Sequence, residues 1–165
     1  MKEMNLPAVT AIVVAAGASR RMGFDKLSFR LPDGRTVLQT SCDALAAHPA
    51  VTGLVLVCGG NRTECEAIAA RCTKPCTVVQ GGATRADSVR SGLAAAEGEL
   101  VAIHDAARPF VSEAVITAVL TAAAADGAAA PAVPVKDTIK IADGAGRVAA
   151  TPDRASLYAV PTPQC

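Results

Sequence analysis

The chain has 165 residues, with 16 basic and 15 acidic side chains and a formal net charge of +1; it lacks the broad cationic surface that nucleic acid or an anionic membrane would need, so any anion must be held locally. The length suits one compact domain with a real core, and no uncharged apolar run reaches the roughly 18 residues of a membrane span, the best candidate being residues 114–125. Alanine supplies much of the apolar content and aromatics are scarce, with no Trp, one Tyr and three Phe, an economy of volume that favours helices packed closely on a sheet.

Lys2 followed by the apolar run 10–18, with Ala16-Gly17-Ala18 as a small-residue site, has the outline of a secretory leader. Glu3 in the would-be positive region argues against it, and the run reads as a first strand. Further β-favouring runs follow at 54–58, 77–79, 100–103 and 132–135. Amphipathic stretches lie between them. Residues 36–47 carry Val37, Leu38 and Leu45 at helical spacing before His48-Pro49 stops them. Asn61, with Glu64 three residues on, is the expected N-cap of a second helix ending near Cys72. Residues 85–96 read as a third helix, and 112–125 as a fourth, with Ser112 as N-cap and Asp126-Gly127 as exit.

This alternation predicts an α/β, doubly wound, mainly parallel sheet with helices on both faces, forming a single domain over residues 1–165. Ligands in such sheets bind beyond the carboxyl ends of the strands. The Gly17 loop, the Gly81-Gly82 loop and the His104-Asp105 turn are all expected at that edge. After Val135, Thr138-Ile139-Lys140-Ile141 and Arg147-Val148-Ala149 bracket Asp143-Gly144-Ala145-Gly146, which predicts a β-hairpin arm over about residues 137–152. An arm that short needs support from the parent sheet or a second copy of the chain. Six cysteines, Cys42, Cys58, Cys65, Cys72, Cys76 and Cys165, are scattered along the chain. Cys72 and Cys76 lack the second close pair or neighbouring His of a zinc site, so reduced, mostly buried thiols and a cytoplasmic protein are expected.

Three segments carry the candidate chemistry. Val13-Val14-Ala15-Ala16-Gly17-Ala18-Ser19-Arg20-Arg21-Met22-Gly23 runs from a strand into small residues and then cations, with Asp25-Lys26 following. Small side chains let backbone N–H groups approach phosphate oxygens, and Arg21 and Lys26 can neutralise charge at an attacked phosphorus; equally, a loop leaving a sheet has this composition. Gly81-Gly82-Ala83-Thr84-Arg85-Ala86-Asp87-Ser88 opens a helix, so it suits an anion or a polar base edge at the helix N-terminus, or a plain tight turn with Asp87 and Ser88 as helix-start residues. In His104-Asp105-Ala106-Ala107-Arg108-Pro109, Asp105 can ligate Mg²⁺ and Arg108 can bind phosphate. Alternatively Asp105 and Arg108 pair with each other, and His104 is a satisfied core residue.

Together these segments resemble the 2-C-methyl-D-erythritol 4-phosphate cytidylyltransferases of the non-mevalonate isoprenoid pathway. The resemblance runs in order through Ala15-Ala16-Gly17 with Arg21-Met22-Gly23, Gly81-Gly82 with Arg85 and Ser88-Val89, the His104 to Pro109 segment, Pro134-Val135 with Asp137-Thr138 and Lys140, and Thr162-Pro163-Gln164. It implies a Rossmann-like nucleotidyltransferase in which the sugar phosphate attacks the α-phosphorus of CTP and pyrophosphate leaves. Arg21 and Lys26 match the family's transition-state cations, and Ala15, Ala16, Gly17 and Ser19 its triphosphate cradle. Gly82, Ala83 and Ser88 match the cytosine-recognising loop. Asp105, Ala106, Arg108, Thr138 and Arg154 match the acceptor site, with Asp105 beside Mg²⁺ and Arg154 a catalytic position that serves the neighbouring subunit when the arm embraces a homodimer.

Several differences from the family stand out, among them a shorter loop between Arg21 and Lys26. Ser19 replaces a third glycine, and Asp25 and Leu27 flank Lys26 where the family carries Pro and Gln. The family also continues past Thr-Pro-Gln into a lysine-bearing strand, so the resemblance implies CTP binding with weakened acceptor turnover here. The alternatives are a catalytically impaired CTP-binding remnant and a related polyol phosphate cytidylyltransferase, such as the ribitol phosphate enzymes; Ala106-Ala107 and Asp137-Thr138-Ile139-Lys140 favour the erythritol branch. A nicotinamide-binding domain is excluded by the lack of Gly-x-Gly-x-x-Gly after the first strand.

Overall fold

The computed structural model describes residues 6–17 and 25–165. Four strands, β1 (Val9–Ala15), β2 (Val51–Cys58), β3 (Cys76–Gln80) and β4 (Leu100–Asp105), form a sheet in the order β3-β2-β1-β4. All three pairings are parallel. The intervening helices are α1 (Val37–Ala46), α2 (Arg62–Ala69) and α3 (Arg85–Leu93), with α4 (Glu113–Asp126) after β4. The expected doubly wound class is therefore observed.

Strand periodicity divides the core into two faces. On one, Val9, Ala11, Val13 and Ala15 of β1 join Leu54, Leu56 and Cys58 of β2, covered by Leu38 and Leu45 of α1, Cys65 and Ile68 of α2, and Ile116 and Leu120 of α4. On the other, Ile12, Val55 and Val57 meet Ala95 and Ala96, just past α3. Among the described residues, helices lie on both faces, three against one. Gly92 lets α3 sit so close: a Cβ there would lie 2.5 Å from Ile12 Cγ2 and 3.0 Å from Val57 Cγ2.

His48 joins the sheet to the helices at the end of α1. Thr117 donates its hydroxyl to Glu113 O, so His48 Nε2–H donates to Thr117 Oγ1 (3.0 Å) while Nδ1 accepts from the Ala50 amide (3.3 Å). The ring is neutral, and burial holds its pKa below the usual value. Lys74 Nζ closes the corner by donating to the carbonyls of His48 and Val51.

Several local expectations need correction. Residues 132–135 do not extend the main sheet: only β5 (Val133–Pro134) is extended, and it pairs antiparallel with β8 (Tyr158–Ala159). A proline at its centre lacks the N–H a central strand needs. Asn61 precedes α2 without a side-chain cap bond; its Oδ1 accepts from the Gly59 amide instead, and α2 ends at Ala69, short of Cys72. Ser112 does cap α4 and Gly127 ends it, as expected, and Thr36 caps α1. The hairpin pairs β6 (Ile141–Ala142) with β7 (Val148–Ala150), shorter than 137–152. Its turn is organised by Asp143, whose carboxylate accepts from the Ala145 and Arg147 amides. All six cysteines are free, but Cys72, Cys76 and Cys165 are only partly buried. Burial pushes the Cys65 and Cys76 thiols up to about 12. Among the described residues no helix is long and apolar enough to cross a membrane, and no group of His, Cys, Asp and Glu could hold a metal ion as a cluster.

Candidate active site

A cleft of about 780 Å³ opens at the carboxyl ends of the strands. It is lined by Ala16 and Gly17 after β1, Lys26, the Gly82-Ala83-Thr84-Arg85 turn with Ser88, and Asp105, Ala106, Ala107 and Arg108 after β4. The three loops predicted to meet at one edge do meet. Ser19 and Arg21 lie outside the described residues.

The approach of two loops depends on Gly81. A Cβ there would lie 2.5 Å from Ala16 Cβ and 2.8 Å from Ser88 Oγ, so any side chain would force the turn away from the end of β1. Thr84 caps α3: its Oγ1 accepts from the Asp87 amide, and the Asp87 carboxylate accepts from Thr84 N–H in return. Ser88 is buried; it donates to Thr84 O at 3.0 Å and accepts from Gly82 N–H at 3.2 Å. Asp87 and Ser88 are thus helix-start residues, as the plain-turn alternative had it, and Ser88 reaches the cleft by fixing the Gly82 backbone.

Lys26 is held over the cleft by its neighbours. Asp25 Oδ1 accepts from Leu27 N–H at 3.0 Å, the Leu27 side chain enters the core, and Leu27 O accepts from the Leu38 amide at 3.1 Å. Asp25 and Leu27, which flank the lysine, therefore anchor the turn that carries it. Asp25 faces Ser28 and a neighbouring hollow that Ala15, Ala16 and Gly17 also line.

At the end of β4, Asp105 takes two guanidinium groups. Arg85 Nη2 lies 2.9 Å from Oδ1 and Arg108 Nε 3.4 Å from Oδ2. Arg85 was named in the sequence motif without a role; it ties the first turn of α3 to the end of β4 across the cleft. Its signal lay in its place as the first helical residue after the glycines. Lys26, Arg85 and Arg108 set three cations against one carboxylate among the described lining residues, a balance that suits a polyanion.

His104 is fully buried, and the satisfied-core alternative describes it correctly. Arg108 O can only accept, so His104 Nε2–H donates to it at 3.0 Å and Nδ1 accepts the Thr162 hydroxyl at 3.2 Å. Thr162 Oγ1 in turn accepts from Asp105 N–H at 3.1 Å. Ala106 turns its side chain into the core, while its carbonyl accepts from Ser41 at 2.6 Å. Thr138 and Arg154 are not brought to this cleft. They line a separate hollow of about 480 Å³ at the base of the arm, where Arg154 Nη1 donates to Lys136 O.

Comparison with known proteins gives the family. The family model for 2-C-methyl-D-erythritol 4-phosphate cytidylyltransferase matches residues 9–165. A bifunctional enzyme IspD/IspF of Anaeromyxobacter dehalogenans is 46% identical over 160 residues, covering 94% of this chain and 41% of the relative. The 2-C-methyl-D-erythritol 4-phosphate cytidylyltransferase of Desulforamulus reducens is 44% identical over 164 residues, covering 94% and 70%. The crystal structure of 4-diphosphocytidyl-2C-methyl-D-erythritol synthase from Anaerococcus prevotii superposes with a TM-score of 0.80 at 30% identity, over 96% of this chain and 69% of that one. The chain thus spans about two fifths of the bifunctional relative and about 70% of the single-function one. By its motifs, its fold and these matches, the chain belongs to the 2-C-methyl-D-erythritol 4-phosphate cytidylyltransferase family.

Proposed function

We propose that this protein transfers the cytidylyl group of CTP to 2-C-methyl-D-erythritol 4-phosphate. A phosphate oxygen of the acceptor forms the new bond to the α-phosphorus, the bond to the bridging oxygen of the β-phosphate breaks, and pyrophosphate leaves. The observation that carries the reading is the convergence of Ala16-Gly17, Lys26, Gly82-Ala83 and the Asp105 to Arg108 turn on one cationic cleft. Lys26, with Arg21, braces the crowded phosphorus and the departing charge. The Gly82 backbone, fixed by Ser88, faces the base; Ala15, Ala16, Gly17 and Ser19 cradle the phosphates.

Mg²⁺ usually takes one or two carboxylates plus substrate phosphate oxygens, and Asp105 at the cleft wall fits that donor set, with Arg85 and Arg108 free to turn from its oxygens to phosphate. When bound, the ion would neutralise triphosphate charge. We assign Arg108 to the acceptor, and Thr138 and Arg154 to the acceptor site of a partner subunit, since they stand apart from their own chain's cleft. On this reading the arm forms a symmetric homodimer, for which the exposed Ile141 and Val148 supply apolar surface. Free, partly buried thiols favour the cytoplasm.

The test is pyrophosphate release from CTP with and without the sugar phosphate, alongside calorimetric titration of CTP, UTP, ATP and GTP with Mg²⁺. Release that depends on the sugar phosphate and preferential CTP binding are expected. Lys26→Ala should lower kcat about 100-fold or more, as loss of a charge-stabilising group does, with the melting temperature unchanged. ATP bound as tightly as CTP would overturn the reading.

A further inference from the structure

Asp105 and Arg108 stand on a turn whose shape is held from behind. Directly beneath it, His104 and Thr162 form a buried relay joining Arg108 O, the imidazole, the Thr162 hydroxyl and the Asp105 amide. His104 is fully buried and Thr162 is 7% exposed, and neither is among the residues that line the cleft. The chemistry of the relay has one direction. A carbonyl can only accept and an amide can only donate, so the neutral ring with its proton on Nε2 makes Thr162 donate to Nδ1 and leaves its lone pair for Asp105 N–H. Every polar atom of the relay is then satisfied by one arrangement.

We propose that His104 is a positioning residue for acceptor binding, acting through Thr162 to lock the turn that presents Asp105 and Arg108. The proposal rests on the reading of that turn as part of the acceptor site. Residues 162–165 deliver the threonine: Gln164 exchanges two backbone hydrogen bonds with Ile103 (2.7 and 2.9 Å), and Cys165 exchanges two with Ala129. A segment remote in sequence therefore reaches under the turn. The ring spans both ends of it, since one nitrogen holds the carbonyl of Arg108 and the other sets the partner of the Asp105 amide. Without that orientation the amide would lose its acceptor, and a buried unpaired donor is costly.

Thr162→Val keeps the shape and removes the hydroxyl; Thr162→Ser keeps the hydroxyl. The intact protein should be followed by amide exchange, by binding of CTP and of the sugar phosphate, and by kcat and KM. In Thr162→Val, Asp105 N–H should exchange about tenfold faster, as loss of one buried hydrogen bond implies, while the Val13 amide keeps its protection. KM for the sugar phosphate should rise by a similar factor, with CTP affinity measured without Mg²⁺ within twofold. Thr162→Ser should restore both. His104→Gln, which keeps an N–H donor but presents no ring nitrogen to Thr162, should resemble Thr162→Val if it folds.

Unchanged Asp105 exchange in Thr162→Val would overturn the lock, as would equal weakening of CTP and sugar phosphate. Failure of the unaltered protein to bind sugar phosphate would instead overturn the proposed function. The exchange measurement would still decide whether the lock exists.

Discussion

The strands of the sheet and of the arm are both apolar, yet the protein treats them oppositely. Ile12, Val13, Leu54 and Leu56 are at most 2% exposed, whereas Ile141 and Val148 of the arm are each more than half exposed. In the sheet, parallel pairing forces a helix between consecutive strands, and those helices pack on the face of the sheet they cross. The arm has strands of two and three residues in antiparallel pairing, and among the described residues no helix lies between them. Local pairing can shape such an element but cannot bury it. The sheet holds the cleft rigid from within one chain, and the arm presents apolar side chains outward.

The largest expected effect separates the two regions directly. Leu38→Ala, in the sheet-facing stripe of α1, should cost about 2–5 kcal/mol at every protein concentration, the range for truncating a buried leucine. Val148→Asp should leave the dilute protein's melting temperature nearly unchanged and, on the proposed homodimer, shift sedimentation from dimer toward monomer. If the arm substitution proved as costly as the core one in dilute solution, the arm would be packed within its own subunit.

Gly81→Ala comes next. The added methyl has to displace Ala16 or Ser88, and overpacking of this kind costs about 1–3 kcal/mol. Because those contacts shape the cleft, CTP affinity should fall along with stability. A stable variant with normal CTP binding would show that the two loops can separate without harm to the site.

Acid should unfold the two regions in different windows. Burial lowers the pKa of His48 and His104 below 6.5 in the folded protein, so the unfolded chain takes up protons first as pH falls. The stability of the sheet is therefore complete above about pH 6.5 and declines below it, and a melting temperature that stays flat from pH 7.5 to 5 would contradict the neutral assignments. The turn of the arm responds lower. The Arg147 amide, with those of Ala145 and the Arg147 side chain, holds Asp143 below 3.8, so its contribution persists above that value and is lost as pH falls through the folded pKa.

The smallest effect is expected from Asp143→Ala. Loss of this exposed turn's carboxylate should speed exchange of the Ala145 and Arg147 amides and shift the global melting temperature by little, since surface changes of this kind usually stay within about 0.5 kcal/mol. A large drop would mean that the arm and the sheet unfold as one unit.

Much of the site was legible because glycines and charged residues clustered just after apolar runs. Ala16-Gly17, Gly82-Ala83 and Asp105 to Arg108 meet as anticipated, since parallel strands deliver all their carboxyl ends to one edge. Arg85 gained its role from geometry alone: its pairing with Asp105 spans 20 residues of chain, and nothing local announces a partner at that distance. Asn61 misled for the reverse reason. A competing amide at Gly59 took the side-chain oxygen that a cap would use, a choice that spacing does not record.

By itself the sequence determined the class of the fold, the periodicity of its strands and helices, and the residues available for phosphate chemistry, because these follow from local preference and from the alternation of buried and exposed positions. Tertiary structure alone decided that the run near Val133 leaves the sheet, that Thr138 and Arg154 stand apart from the cleft, and that His104 is engaged by Thr162 from 58 residues away. Those outcomes depend on which distant groups compete for the same hydrogen bond or the same buried surface, and that competition is resolved only when the chain is packed.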